Sequence, residues 1–377
     1  MDLQKFSDEK FHEVLKLHRE LCVIPAPSNF EDERAQYILK YLKDAGVENA
    51  YIDEAKNVIC TLGKPSDKMV AFMAHTDTVF PMDTPLNYID DGEKIHCPGA
   101  GDDTASLAVM LACIKYMKEQ GIVPEKTLLF VANSCEEGLG NLKGCRQIFK
   151  DYGDKIEYMY TFDASPDEVT NKSVGSHRYN VTAITEGGHS FIEFGNRNAI
   201  SVLSEIISEI YKIEVPKVGD SRTTYNVGTI EGGTSVNTIA QSASMLCEYR
   251  SSDISCLEIM QEKFKNIFEK AKANCTELIV ELVGDRPCMS NEIDMDLHRQ
   301  ITNRAKAIQS KHFGMDVKEE SGSTDCNIPH SMGIPAVALS NYSGGGMHTR
   351  EEWVIKDSFK PGLKVSLELI LTEGKLI

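Results

Sequence analysis

The sequence predicts an α/β chain with a mainly parallel sheet and flanking helices, interrupted by an inserted α+β domain. Short apolar runs such as Met69-Val-Ala-Phe-Met-Ala74 and Thr127 to Val131 alternate with amphipathic helical stretches. That is the pattern of strands buried between helices in a parallel sheet. From about Gly175 the rhythm becomes β-α-β-β-α-β, the mark of an antiparallel sheet with helices on it, and the first pattern returns near Arg286. The expected division is 1–174 with 286–377 for the first domain and 175–285 for the insertion.

Ser7 to Cys22 reads as an amphipathic helix through Phe11, Val14, Leu15, Leu17 and Leu21, stopped by Pro25 and Pro27. A second helix is expected from Asn29, with Asp32 three residues on, to Gly46. Asn57 to Thr61 and Met69 to Ala74 are strands, and the second runs into His75-Thr-Asp77. Gly99-Ala-Gly-Asp102-Asp103 opens a helix through Leu107, Met110, Leu111 and Ile114, where an acid caps free amides. The strand Thr127 to Val131 leads to Cys135-Glu136-Glu137-Gly138, and the strand Glu157 to Phe162 ends in Asp163. In the insertion, strands are expected over Tyr179–Thr185, Thr223–Ile230, Ser242–Arg250 and Glu277–Val283, with helices over Asn198–Ile213 and Cys256–Ala273. Beyond it come a helix from Asp296 to His312, the strand Ala336 to Leu339, the glycine-rich loop Ser343 to Trp353 carrying His348, and a last helix from Lys356 to Thr372.

The chain of 377 residues is 41% hydrophobic and carries a formal charge of −17. A globular composition of that size holds two domains, and the acidic balance argues against nucleic acid, whose phosphates demand basic patches. No apolar run is long enough to span a bilayer. The polar N-terminal stretch lacks the apolar core of a signal peptide, and the eleven cysteines show no Cys-x-x-Cys pair. Reduced, mostly buried thiols and a cytoplasmic address are expected.

Four successive strand ends deliver His75, the Asp102 loop, Glu136 with Glu137, and Asp163, and ligands of such sheets bind outside the carboxyl ends of the strands. His75 and Asp77, two apart on an extended chain, face one side. The carboxylate can then orient an imidazole that binds a metal, or the two can form a plain hydrogen-bonded pair. Glu136 and Glu137, as neighbours on an extended backbone, are expected to point opposite ways and to hold different jobs. In the insertion, Gly187-Gly-His189-Ser190, Gly232-Gly-Thr-Ser-Val-Asn237 and Arg250 stand out as polar clusters.

Taken in order, these motifs resemble those of the co-catalytic di-zinc metallopeptidases that include peptidase T, glutamate carboxypeptidase, aminoacylase and succinyl-diaminopimelate desuccinylase. The resemblance implies a zinc-peptidase catalytic domain and an inserted lid or dimerisation domain. It implies two Zn2+ per subunit, with Co2+ or Mn2+ as substitutes. His75 and Asp163 would bind one metal, Glu137 and His348 the other, and Asp102 would bridge them. Glu136 would be the general base and Asp77 the partner of His75. His189 would donate to the developing oxyanion, while Asn237 and Arg250 would hold a substrate carboxylate. A small peptide is the implied substrate, and a homodimer through the insertion is allowed. Asp163 is the terminal carboxylate of the exopeptidases, and His75-Thr-Asp-Thr-Val79 looks most like peptidase T. Thr104-Ala-Ser106 departs from the Lys-Ala-Gly common in that branch. An aminopeptidase or di/tripeptidase is thus expected, with carboxypeptidase or N-acyl-amino acid deacylase as the alternative. A binding protein on the same fold would be expected to have lost ligands, and this chain retains all five and the base.

Overall fold

Every residue of the Met69–His75 and Leu128–Asn133 strands is buried, so both lie in the middle of a sheet covered on two faces. The computed structural model describes residues 2–377. Its largest sheet has eight strands in the order Tyr51–Ile52, Val58–Leu62, Leu128–Asn133, Met69–His75, Ile156–Thr161, Ala336–Ala338, Glu168–Ser173 and Lys318–Gly322. The central neighbours run parallel, whereas Val58–Leu62 is antiparallel to Leu128–Asn133, so the sheet is mixed. Side-chain alternation divides each strand between two cores. Val70, Phe72 and Ala74 pack with Phe130, Tyr160 and the helices Leu3–Cys22, Thr104–Glu119 and Phe359–Glu373. Ala71 and Met73 pack on the other side with Val131, Ile148 and Phe149, the last two from the helix Lys143–Tyr152. Helices therefore cover both faces.

The chain divides into two compact units, one running to Ser173 and resuming from Ser290 to Ile377, the other Val174–Met289. In the second, four antiparallel strands lie in the order Thr223–Gly232, Ser242–Ser251, Gly175–Ile184 and Glu277–Arg286. The helices Ala199–Ile210 and Ile254–Ala271 share a core with this sheet, built on Val181, Leu203, Met245, Tyr249 and Phe264. Asn198 and Asp253 cap those helices, their side chains accepting from Ile200 and Ser201 and from Cys256.

Several local expectations need correction. Asn29 does not open the second helix, which spans Asp32–Asp44; it is left-handed with φ 73°, and its amide donates to Glu31 at 2.9 Å. The buried Glu31 carboxylate also accepts from the Cys135 amide, so it ties two loops together instead of capping a helix. Asp103 sits at the start of the Thr104–Glu119 helix without capping it; its carboxylate accepts from the His75 amide at 2.9 Å. A four-stranded sheet of very short strands, Gly344–Gly345, Trp353–Ile355, Lys94–His96 and Ile89–Asp90, has no counterpart in the sequence reading. Strands of two or three residues are too brief to carry a period. Among the described residues no helix is long and apolar enough to cross a membrane, and all eleven cysteines are free and buried.

Candidate active site

The parallel register pairs His75 with Asn133 at the carboxyl edge of the large sheet, and the neighbouring strand stops at Thr161. The three chains that leave this edge carry Asp77, Glu136 with Glu137, and Asp163. A fourth contribution, Asp102, precedes the Thr104–Glu119 helix, and a fifth, His348, sits in the turn between Gly344–Gly345 and Trp353–Ile355.

These side chains meet. His75 Nε2 lies 2.9 Å from Asp102 Oδ1, and His348 Nε2 lies 3.2 Å from Asp102 Oδ2 and 3.0 Å from Glu137 Oε1. Asp102 therefore turns one oxygen toward each imidazole. Three sets have donor atoms within 4.8 Å of one another: His75, Asp102 and Asp163; His75, Glu136 and Glu137; and Asp102, Glu137 and His348. The expected separation of Glu136 from Glu137 is not what forms. The strand ends at Asn133 and Cys135 is left-handed, φ 57°, which breaks the alternation and lets both carboxylates reach His75.

Asp77 acts as organiser of that turn. Its carboxylate accepts from the amides of Glu136 and Glu137 at 2.9 and 3.0 Å and from the Ser28 hydroxyl at 2.6 Å. The close partner of His75 Nδ1 is the Asp77 backbone carbonyl at 3.0 Å, with the carboxylate at 3.5 Å, so carbonyl and side chain together orient the ring. Left-handed, non-glycine conformations at Cys135 and His348 place two of the contributing loops in sparsely populated backbone regions, of the kind that gather at functional sites.

The electrostatics are those of too many acids in one buried place. Burial pushes Asp163 well above the usual carboxylate range, with Asp102 and Glu136 adding to it. Glu137 is pushed up to about 7 by burial and by Asp102 and Glu136, which outweigh the hydrogen bond from His348. His348 is raised to about 10 by its hydrogen bonds to Asp102 and Glu137. For His75 and Asp77, burial opposes the charged forms, yet their hydrogen-bonded neighbours hold the imidazole well above, and the carboxylate below, their ordinary values. The cluster stabilises positive charge placed among its carboxylates.

Four residues that sequence reasoning gave no role support it. Glu352, 1% exposed, accepts from the amides of Gly99, Gly101 and Asp102 at 2.9, 2.8 and 2.8 Å, fixing the Asp102 loop from the far end of the His348 turn. Asn133 donates to the buried Asp325 at 2.6 Å beneath the Glu136 turn. Arg34, fully buried, donates to the carbonyls of Leu21, Ile24 and Thr76, tying two helices to the residue after His75. Glu352 follows His348 closely, and that spacing was the one available signal. Burial, with the Glu31 carboxylate adding to it, pushes the Cys135 thiol up to about 12, which disfavours the thiolate a nucleophile needs.

The remaining expected residues lie in the inserted unit. Gly188–His189 pairs with Thr238–Ile239, and the Ser190 amide donates to the Asn237 carbonyl at 3.0 Å, so His189 and Asn237 come together. His189 is exposed, and its Nδ1 accepts from the amides of Phe191 and Ile192 at 3.3 and 3.4 Å. Arg250 is elsewhere, on the Ser242–Ser251 strand, where its guanidinium makes a two-pronged pair with Glu248 at 2.8 and 3.0 Å.

Comparison with known proteins identifies the family. The chain is 27% identical over 358 residues to the uncharacterized protein YqjE of Bacillus subtilis, covering 90% of this chain and 92% of that protein. It is 25% identical over 314 residues to a probable carboxypeptidase of Paracoccidioides brasiliensis, covering 75% and 70%. Its fold matches a tripeptidase of Staphylococcus aureus with a TM-score of 0.76 at 22% identity, over 97% of this chain and 99% of that one. The family model for peptidase family M20/M25/M40 matches residues 71–372, which include every member of the carboxylate and histidine cluster. The protein belongs to that family and is a peptidase, a hydrolase.

Proposed function

We propose that the protein is an exopeptidase that cleaves amide bonds in small peptides with a pair of divalent metal ions, zinc by preference and cobalt or manganese as substitutes. The observation that carries this is Asp102, whose two oxygens face His75 and His348 respectively. One carboxylate thus joins two donor sets, His75 with Asp163 and His348 with Glu137. Imidazole nitrogen and carboxylate oxygen suit zinc, and the surplus of buried carboxylates fits a dication pair. When bound, such a pair polarises the scissile carbonyl and lowers the pKa of a water at neutral pH.

The chain's own residues do the rest. Glu136 takes a proton from the attacking water and returns it to the leaving amine nitrogen. Asp77 holds the Glu136–Glu137 turn through two amides and orients His75. His189 donates from Nε2 to the oxyanion, a role supported by the backbone amides that occupy its Nδ1. Asn237 and Arg250 hold the substrate carboxylate; Arg250 then exchanges Glu248 for substrate or shares its fork with it. A homodimer through the inserted unit and a cytoplasmic location complete the reading, the latter supported by the eleven unpaired cysteines.

Action at the N-terminus, on di- or tripeptides, is the first reading, supported by the fold match to a tripeptidase. The carboxypeptidase reading is favoured by the named relative from Paracoccidioides. A mass-spectrometric screen of di- and tripeptides decides, with N-acetylated and C-amidated versions of each and zinc, cobalt or manganese added. An aminopeptidase rejects acetylated peptides and a carboxypeptidase rejects amidated ones. Cleavage of none, or undiminished cleavage by demonstrably metal-free protein, overturns the proposal.

A further inference from the structure

One face of the Lys143–Tyr152 helix is unused by the chemistry above. Lys143, Arg146 and Lys150 follow at steps of three and four, so they form one row. All three line an open pocket of about 480 Å³ together with Asn29, Leu139 and Asn141, and no Asp or Glu lines it. That volume suits a small ligand. Lys143 and Lys150 are exposed and make no ion pair among the described residues. Arg146 is held in place, its Nε donating to the Asn141 carbonyl at 3.0 Å. Acids at the rim have partners of their own: Asp151 accepts from Gln147, which also lines the pocket, at 2.7 Å, and Asp32 pairs at 2.5 Å with Lys56, which donates to the Asn29 carbonyl as well. No side chain caps this helix and its first turn holds no acid, so at the Lys143 end the helix dipole adds the same sign of charge. In a chain of formal charge −17, three cations around one acid-free hollow are a local exception.

The pocket shares a wall with the active-site turn. Asn29 follows Ser28, whose hydroxyl donates to Asp77 and to the Glu137 carbonyl at 2.6 and 3.2 Å. Leu139 belongs to the short Gly138–Gly140 turn that begins directly after Glu137.

We propose that this pocket binds an anionic group, carboxylate or phosphate, beside the peptidase site. The anion has two possible sources. An acidic side chain of the peptide makes the pocket a specificity subsite, an assignment that rests on the function proposed above. A free anion makes it an effector site, acting on Glu137 through the shared wall.

The test uses the full-length, metal-loaded protein, its Lys143→Glu/Lys150→Glu variant and the milder Lys143→Gln/Lys150→Gln variant. In the first arm, inorganic phosphate is titrated by calorimetry at constant ionic strength. In the second, peptides that differ only by Glu or Gln at each position are compared as ratios of kcat/KM. A free-anion site gives saturable phosphate binding that both variants weaken, the charge-reversed one by about tenfold or more. A substrate subsite gives a Glu-over-Gln preference that falls by about fivefold or more in the variants, as loss of two partly solvated charge contacts implies. Phosphate binding equal in all three proteins, with an unchanged Glu/Gln ratio, overturns the proposal. Absence of phosphate binding with an unchanged ratio does the same. Because the first arm needs no turnover, an inactive peptidase refutes the function above without deciding this site.

Discussion

At the scale of single residues, the sharpest division is between Glu136 and Glu137, adjacent in sequence and both within reach of His75. Glu136→Gln keeps the shape but cannot take a proton, so both metals should remain while kcat falls by about 10²-fold or more. Glu137→Gln should instead lose one metal of two. Metal content by mass spectrometry beside kcat checks this, and equal metal loss in both variants refutes it. His348 supplies a second prediction. Its hydrogen bonds to Asp102 and Glu137 raise it to about 10 from 6.5, so near pH 7 it is protonated without metal, and a metal must displace that proton. Proton release on metal addition at pH 7 should be visible in weakly buffered solution, and apparent affinity should rise with pH toward about 10. For the metal-free protein the sign is opposite. A raised folded-state pKa contributes stability that is whole below about 6.5 and is lost as pH rises through about 10. Metal-free protein should therefore melt at lower temperature as the pH climbs from 7 to 10. A melting curve flat over that range, or no proton release, removes the His348 assignment. His75, Glu136, Glu137 and Asp163 were legible because each closes or follows a strand at one edge of the large sheet, whereas Asp102 and His348 come from loops next to the small sheet and stood out only by their motifs. The orientation of Glu136 and Glu137 was not legible, because it depends on a left-handed Cys135 that no local preference announces.

At the scale of elements, the site depends on links between segments distant in sequence. Glu352 joins the His348 turn to the Asp102 loop through three amides, 250 to 253 residues away. Its carboxyl is pushed up to about 7 by burial, even against those hydrogen bonds. Glu352→Gln replaces one acceptor oxygen with a donor that faces an N–H. The cost should be about 1–3 kcal/mol, the range for an unsatisfied buried group, with weakened retention of both metals that Asp102 is proposed to join. Urea denaturation of the metal-free variant and metal titration of the folded one measure the two effects separately. Unchanged midpoint and unchanged affinity together would show that the three amides need no anchor. The large sheet and both helical layers were readable from alternating apolar runs, and the β-α-β-β-α-β order of the insertion from its change of period. Arg34 was not readable. It sits in an amphipathic helix, where a charged residue reads as solvent-facing, and its burial follows only from the carbonyls of Leu21, Ile24 and Thr76 converging on it. The small antiparallel sheet escaped for a different reason: it brings Lys94–His96 beside Trp353–Ile355, and only the folded chain makes that pairing.

At the scale of the whole molecule, the proposed chemistry asks a residue of one compact unit to act at a site built wholly by the other. His189 belongs to Val174–Met289, whereas the five proposed ligands and Glu136 belong to the first unit. Within its own unit the imidazole is prepared as a donor. The Phe191 and Ile192 amides address Nδ1, so the ring proton resides on Nε2, and the side chain is exposed. Loss of one preorganised oxyanion donor costs on the order of 3 kcal/mol of transition-state stabilisation. His189→Ala should therefore bind both metals normally and lose about 10²-fold in kcat, with KM changing less. A surface histidine without a role predicts no change in either constant. Mixing this variant with Glu136→Gln under conditions of proven subunit exchange then asks whose site His189 serves. If the inserted unit delivers it to a partner, a mixed dimer contains one site with both an intact base and an intact donor, and an equimolar mixture at random exchange, about half of whose dimers are mixed, returns to about one quarter of wild-type activity. If His189 serves its own chain, every site in the mixture lacks one of the two, and no activity returns however complete the exchange.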